Sequence, residues 1–204
     1  MQYMRVITEG ILNFYAQLKE RFPRKHDVFT ENELKNYEDL TVLNRVEIVR
    51  LYNQFVNFSP SLEYGEKNPV LPPHHLCFTP ALRMNPFKDR IVKVFTTEEG
   101  EFSFEDYLNM MSVFSDKASV IVKSDYAFRI NDFDDDGLIS RNDLLELLKR
   151  IKGNNELSKS ECEEIIQNVL AEADLNADGY IAYPEFEHLV LKSPDFLNSF
   201  RIRL

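Results

Sequence analysis

The chain has 204 residues, 44% hydrophobic and 12% aromatic, which suits one globular unit or two small lobes and excludes a disordered acidic tail. Its net charge of -10 and pI near 5.0 exclude the basic stripe of a nucleic-acid binder and favour cations or basic partners. No apolar run approaches the roughly 20 residues of a spanning helix, and Cys77 and Cys162 are too few for a disulfide framework, which predicts reduced cytosolic thiols.

At the N-terminus, Ile7, Ile11, Phe14, Tyr15, Leu18 and Phe22 recur at helical spacing, with Lys19, Arg21, Arg24 and Lys25 following. This predicts an amphipathic helix over residues 1–27, packed on the body or loosely held, with peripheral membrane contact as the sharper alternative. The segment lacks a basic n-region, a continuous apolar run and a small-residue cleavage site, so no signal peptide is expected. Gln2 stands where myristoylation needs glycine. Next, "FTENELKNYEDL" predicts a short helix capped by Thr30 with Glu33 three residues on. A further helix is expected from about Asn44 to Phe58. From Ser59 to Pro80 the proline-rich chain predicts an irregular connection, with little regular structure before Phe78. Helix resumes at "NPFKDRIVKVF".

From there the chain repeats itself. "VFTTEEGEFSFEDYLNMM", "NDFDDDGLISRNDLLELL" and "ADLNADGYIAYPEFEHLV" each carry a glycine, an apolar residue two positions later and an acid four further on. No run alternates long enough for an extended sheet, so the expected class is all-α. The acidic loops match D-x-[DN]-x-[DN]-G with a carboxylate at position twelve, a spacing that lets one loop surround a hard dication with oxygen. In the last loop, Asp174, Asn176 and Asp178 are the side-chain ligands, Gly179 the turn, Tyr180 the carbonyl ligand and Glu185 the final carboxylate. Ala182 at position nine has no side-chain oxygen, which leaves that vertex to water. In the loop before it, Asp132, Asp134 and Asp136 are ligands, Gly137 the turn, Leu138 the carbonyl, Ser140 position nine and Asp143 position twelve. Asp135, at position four, is expected only to add field. Asp143 is one methylene shorter than glutamate, which hinders bidentate approach and suits an octahedral site, so this loop is expected to accept Mg²⁺ as well as Ca²⁺. The second repeat is a relic, with Phe95 where the first ligand belongs. The first repeat has lost its loop to the proline-rich stretch. Pairing of successive loops should bring Ile139 against Ile181.

The stretches "ALRMNPFKDRIVKVF", "FSFEDYLNMMSVFSD", "YAFRINDFDDDGLISRNDL" and "SPDFLNSFRIRL" resemble the calcium- and integrin-binding protein family, within the larger EF-hand group, over roughly residues 28–204. That family also has aspartate at position twelve of its third loop. The resemblance implies four EF-hand units in two lobes, with the N-terminal helix and an apolar C-terminal tail added. The expected boundaries are 1–27 for the extension, 28–115 for a lobe with two degenerate hands, 120–192 for a lobe with two metal-binding hands, and 193–204 for the tail. It also implies a non-enzymatic cytoplasmic adaptor, membrane-associated through its partner. The partner would be a helical cytoplasmic segment of a membrane protein, either an integrin α tail or a transmembrane channel-like (TMC) mechanotransduction channel.

The residues themselves offer a groove. Leu144, Leu147, Leu148 and Ile151, then Ile165, Ile166, Val169 and Leu170, then Phe186, Leu189 and Val190 make stripes broader than one helix seam needs. Phe196, Leu197, Phe200 and Ile202 form an apolar tail suited to covering it. The competing readings are a soluble Ca²⁺ buffer and a regulatory subunit of a kinase or phosphatase. His26, His74, His75 and His188 belong to no nucleophile pattern, and no triad or phosphate loop is present, so catalysis is not expected.

Overall fold

Short polar side chains ahead of apolar runs set where the helices begin. The computed structural model describes residues 28–59, 61–97, 100–153, 157–193 and 195–202. Helix α1 (Glu31–Leu40) opens on the expected capping box of Thr30 and Glu33, and α2 (Arg45–Val56) opens on a second one from Asn44 and Glu47. After α3 (Lys88–Phe95), α4 (Phe104–Val113) is capped by Ser103 and α5 (Val120–Asn131) by Ser119. Helix α6 (Arg141–Lys152) is capped by Ser140 and α7 (Lys159–Ala173) by Ser158, and α8 (Tyr183–Lys192) starts with Pro184 in its first turn. A single turn, α9 (Phe196–Ser199), follows. The predicted N-terminal helix at 1–27 lies outside the described residues.

Two very short antiparallel ladders join the loops. Strand β1 (Val70–Leu71) pairs with β2 (Phe102–Ser103), and β3 (Leu138–Ile139) pairs with β4 (Ile181–Ala182). Ile139 faces Ile181 in register, as the loop pattern predicts. The proline-rich connection is more ordered than its composition suggests. It contains β1 and a 3₁₀ turn over Pro73–Phe78, which corrects the expectation of little regular structure there. The cause is tertiary. The Tyr52 hydroxyl donates to the Glu66 carbonyl at 2.8 Å and accepts the Gly65 N–H at 2.9 Å, while the Phe104 N–H donates to the Pro69 carbonyl at 3.0 Å. These bonds supply partners that the segment's own sequence cannot.

The described residues form two apolar cores. The first runs from Val28 to Phe114, and its centre is Phe104, fully buried with its ring within 5.3 Å of Tyr52, 5.8 Å of both Phe29 and Phe55, and 6.1 Å of Tyr37. Most of these pairs meet edge to face, the arrangement that aligns ring edges with ring faces. The second core is smaller: Phe128, Ile139, Leu144, Ile166, Ala173 and Ile181. Helix α5 serves both, sending Ile130 into the first and Phe128 into the second. Phe95, the residue in the relic ligand position, is buried and stacks on Tyr126 of α5 at 4.4 Å. Replacing Phe104 with alanine should remove about 3–5 kcal/mol of stability, read as a lower denaturant midpoint in chemical unfolding.

Candidate metal centre

Each acidic loop leaves one helix and enters the next, and the same hydrogen bonds shape both. Asp132 ends α5; its Oδ1 accepts the Asp136 N–H at 3.2 Å and its Oδ2 the Gly137 N–H at 2.9 Å. Asp174 ends α7 and does the same for Asp178 at 3.2 Å and Gly179 at 2.8 Å. Asp136 and Asp178 accept the Leu138 and Tyr180 N–H groups at 2.8 and 2.9 Å. The glycines have φ of +85° and +90°, where a side chain would be strained. Position four is also left-handed in both loops, Asp135 at +61° and Ala177 at +60°, and no sequence signal marked it.

The position-twelve carboxylates are buried and close their loops. Asp143 accepts the Phe133 N–H at 2.9 Å and the Ser140 N–H at 2.8 Å. Glu185 accepts the Leu175 and Ala182 N–H groups, both at 2.9 Å. Asp143 is also the third residue of the α6 capping box, bonded to the Ser140 hydroxyl. One carboxylate therefore ties the start of the loop to the start of the next helix.

The two loops differ in how their ligands converge. Oxygens of Asp132, Asp134 and Asp136 all lie within 4.8 Å of one another. An ion holding oxygen ligands at about 2.3–2.6 Å spans such a gap. Burial raises the pKa of Asp132, and the neighbouring Asp136 charge adds to the shift. Three like charges this close repel, and a dication is the species that offsets them, so the donor set fits a hard cation. Asp143 lies outside that converging trio. In the last loop Asn176 replaces one carboxylate, and its amide donates to Asp178 at 2.8 Å.

The sequence missed what stands behind the third loop. Arg90 of α3 is buried and reaches across from the first core. Its guanidinium donates to the carbonyls of Arg129 at 2.7 Å, Ile130 at 3.4 Å and Phe133 at 3.3 Å, and to that of Asp132. It also donates to Asp135 Oδ1 at 2.8 Å, and Lys93 pairs with the other oxygen of Asp135. Arg90 and then Lys93 hold the Asp135 carboxyl down to about 2. Asp135 thus faces a cationic pair from the other core, a partnership that its position in the loop did not reveal. A second arginine repeats the theme: Arg150 of α6 grips both oxygens of Asp89 at 2.6 and 2.9 Å and lies 4.7 Å from the Phe133 ring. A lone Arg in "KDRIVKVF" has no motif around it, so only the fold reveals its partners.

The expected groove residues separate by burial and by whether they line a cavity. Leu144, Ile166 and Val190 are buried; Leu144 and Ile166 belong to the second core and Leu144 also lines the smaller cavity, whereas Ile166 and Val190 line neither cavity, which corrects the assignment of those two to an open groove. Leu147, Ile151 and Phe186 line a cavity of about 290 Å³ together with Phe114, Ile130 and the tail residues Phe196, Phe200 and Ile202. A smaller cavity of about 150 Å³ continues past Leu147 and Phe186 to Val169 and Leu189. Leu148, Ile165 and Leu170 are half-buried and line neither cavity. The channel therefore lies between the two cores, and most of its wall comes from residues outside the predicted stripes.

Substituting Arg90 with alanine strips the third loop of this support and leaves Asp135 to Lys93 alone. The expected loss is about 3 kcal/mol of unfolding free energy, with the Arg90→Lys variant recovering only part, since an ammonium lacks the planar fork.

A family profile for an EF-hand domain pair matches residues 123–191. The chain is 42% identical over 183 residues to calcium and integrin-binding family member 2 of Drosophila melanogaster, covering 86% of this chain and 96% of that protein. It is 38% identical over 186 residues to the human protein of the same name, covering 88% and 98%, and 35% identical over 185 residues to that of Danio rerio, also covering 88% and 98%. With its helical fold and paired acidic loops, the chain belongs to the calcium and integrin-binding family of EF-hand proteins.

Proposed function

We propose that this chain is a Ca²⁺- and Mg²⁺-binding, non-enzymatic adaptor that takes a helical cytoplasmic segment of a membrane protein into the channel between its cores. The observation that carries the reading is the tail: Phe196, Phe200 and Ile202 lie in an apolar channel beside a preassembled carboxylate trio. A segment of this chain already occupies the space a partner helix would need. The relatives' shared name joins calcium with integrin; an apolar channel accepts an amphipathic helix, and the partner in this reading is an integrin α tail or a TMC channel segment. In this reading residues 28–115 are a lobe of two degenerate hands, residues 120–192 a lobe of two metal-binding hands, and residues 193–204 a displaceable cover. Residues 1–27 are an amphipathic extension able to touch the membrane surface. The protein works in the cytoplasm and reaches the membrane through its partner.

In the third loop Asp132, Asp134, Asp136, Ser140 and Asp143 would hold the ion with the Leu138 carbonyl. In the fourth, Asp174, Asn176, Asp178, Glu185 and the Tyr180 carbonyl would do so. The bound ion supplies fixed positive charge; the residues orient it and draw the β3–β4 ladder and the flanking helices together.

Calorimetric titration separates the two loops. Asp143→Glu should lower the Ca²⁺ dissociation constant of the third loop on the order of tenfold and leave Mg²⁺ little changed, because a longer arm restores bidentate approach. Glu185→Gln should weaken the fourth loop by at least about tenfold and spare the third. Absence of heat with either ion in the unmodified chain would refute metal binding. Removing residues 194–204 should strengthen capture of an amphipathic helical peptide in fluorescence anisotropy; unchanged affinity would mean that the tail does not cover the site.

A further inference from the structure

We propose that Lys123 reads the carbonyl end of any helix lying in the channel, so that a partner helix must present a free carbonyl or carboxylate there and docks in one direction only. This rests on the docking function proposed above and adds a specificity determinant to it.

Lys123 sits in the first turn of α5 and is 1% exposed, the most deeply enclosed charged side chain among the described residues. Its ammonium donates to one acceptor among the described residues, the Phe200 carbonyl, at 2.9 Å. Phe200 is the residue that ends the short α9 turn, and its own N–H donates back to Phe196 at 2.9 Å. The lysine therefore meets a carbonyl at the point where a helix runs out of internal donors. Nearby contacts hold the same register: the Phe200 ring lies 4.7 Å from Phe114, the Ile202 N–H donates to the Phe114 carbonyl at 3.2 Å, and Arg201 pairs with Asp116 at 3.6 Å.

A buried ammonium is a donor with no accepting capacity. Burial lowers its pKa, Asp116 offsets this in part, and Arg201 adds to it. An occupant that fills the channel with apolar side chains but offers no oxygen leaves that charge unpaired, which is far costlier than losing one exposed bond. The N-terminal end of a helix presents N–H donors, which Lys123 cannot accept. The C-terminal end presents unpaired carbonyls, and a carboxylate there adds opposite charge. The site thus selects an amphipathic helix by its end as well as by its face. It rejects the wrong end as a hydrogen-bonding pocket rejects an analogue lacking the bonded group.

The test uses the full chain and two designed amphipathic helical peptides, identical except that one ends in a free carboxylate and the other in an amide. Fluorescence anisotropy gives the affinity of each for the unmodified chain, for Lys123→Met and for Lys123→Arg. Both peptides end in free carbonyls and only one adds a charge there, so the unmodified chain should bind both and prefer the carboxylate peptide by about tenfold; equal affinity for the two would overturn the proposal. K123M should bind both equally, and K123R should keep part of the preference. An undiminished preference in K123M would overturn the proposal. Amide exchange of the full chain is the second readout: K123M should speed exchange at Ile202 while core amides at Leu108 and Ile166 stay protected. Should neither peptide bind the unmodified chain, the docking function fails, and exchange alone then decides the role of Lys123. Tail exchange unchanged by K123M refutes the role; faster exchange confined to the tail upholds it for the chain's own tail. If K123M does not fold, K123Q, which keeps a donor without the charge, takes its place in both measurements.

Discussion

A guanidinium buried between two cores is the constraint on which the rest of this molecule depends. Arg90 belongs to the first core by sequence and to the third loop by its bonds: four backbone carbonyls and the carboxylate of Asp135 surround it. Burying a positive charge is costly unless its donors are all engaged, so the arrangement tolerates little sliding of α3 along α5. The carbonyls in question are those at the end of α5, where a helix lacks internal donors. Arg90 acts as a cap supplied from the other half of the chain. Arg150 answers from the opposite side, reaching from α6 to Asp89 beside it, with the Phe133 ring near both arginines. The third loop is thereby held by groups that contribute nothing to its ligand set.

This explains the unequal legibility of the chain. The acidic loops are readable because everything they need lies within twelve consecutive positions: side-chain oxygens at alternate residues, a glycine for the turn and an acid in the next helix. The Ile139–Ile181 pairing follows from the same local pattern. The capping box of Thr30 and Glu33 is local too. Order in the proline-rich connection was hidden because it comes from Tyr52, a residue one helix away whose hydroxyl looks like any other aromatic handle in sequence. The channel was half hidden for a similar reason. Leu147, Ile151 and Phe186 carry visible helical periodicity, but Phe114 and Ile130, which complete the wall, read as ordinary core. Ile166 and Val190 have the same periodicity and belong to the interior, since spacing assigns a residue to a face and says nothing of how deeply that face is covered.

The tail and the third loop are linked through one helix. Helix α5 begins with Lys123, which holds the tail, continues through Phe128 and Ile130, which enter the two cores, and ends at Asp132, the first carboxylate of the trio. A rigid helix transmits displacement along its axis, and α5 also packs on α3 and α8. Tail, lobe contact and carboxylate trio therefore share a single structural member. In the function proposed above, an equilibrium between covered and uncovered channel would be biased through this helix, by whatever differential affinity an ion has for the two arrangements.

Asp143 sets how large that bias can be. Its carboxylate holds the Phe133 N–H at the start of the loop and the Ser140 N–H at the start of α6, so the loop is closed by hydrogen bonds that use the same oxygens an ion would claim. Glu185 makes the equivalent bonds in the last loop with one more methylene of reach. A longer arm can turn one oxygen to an ion while keeping the backbone donors; a shorter one must give up more of its existing bonds. Ion capture would therefore cost more existing bonds at Asp143 than at Glu185. The loop braced by Arg90 is already shaped by bonds from the other core, which are independent of the oxygens an ion would claim at Asp143.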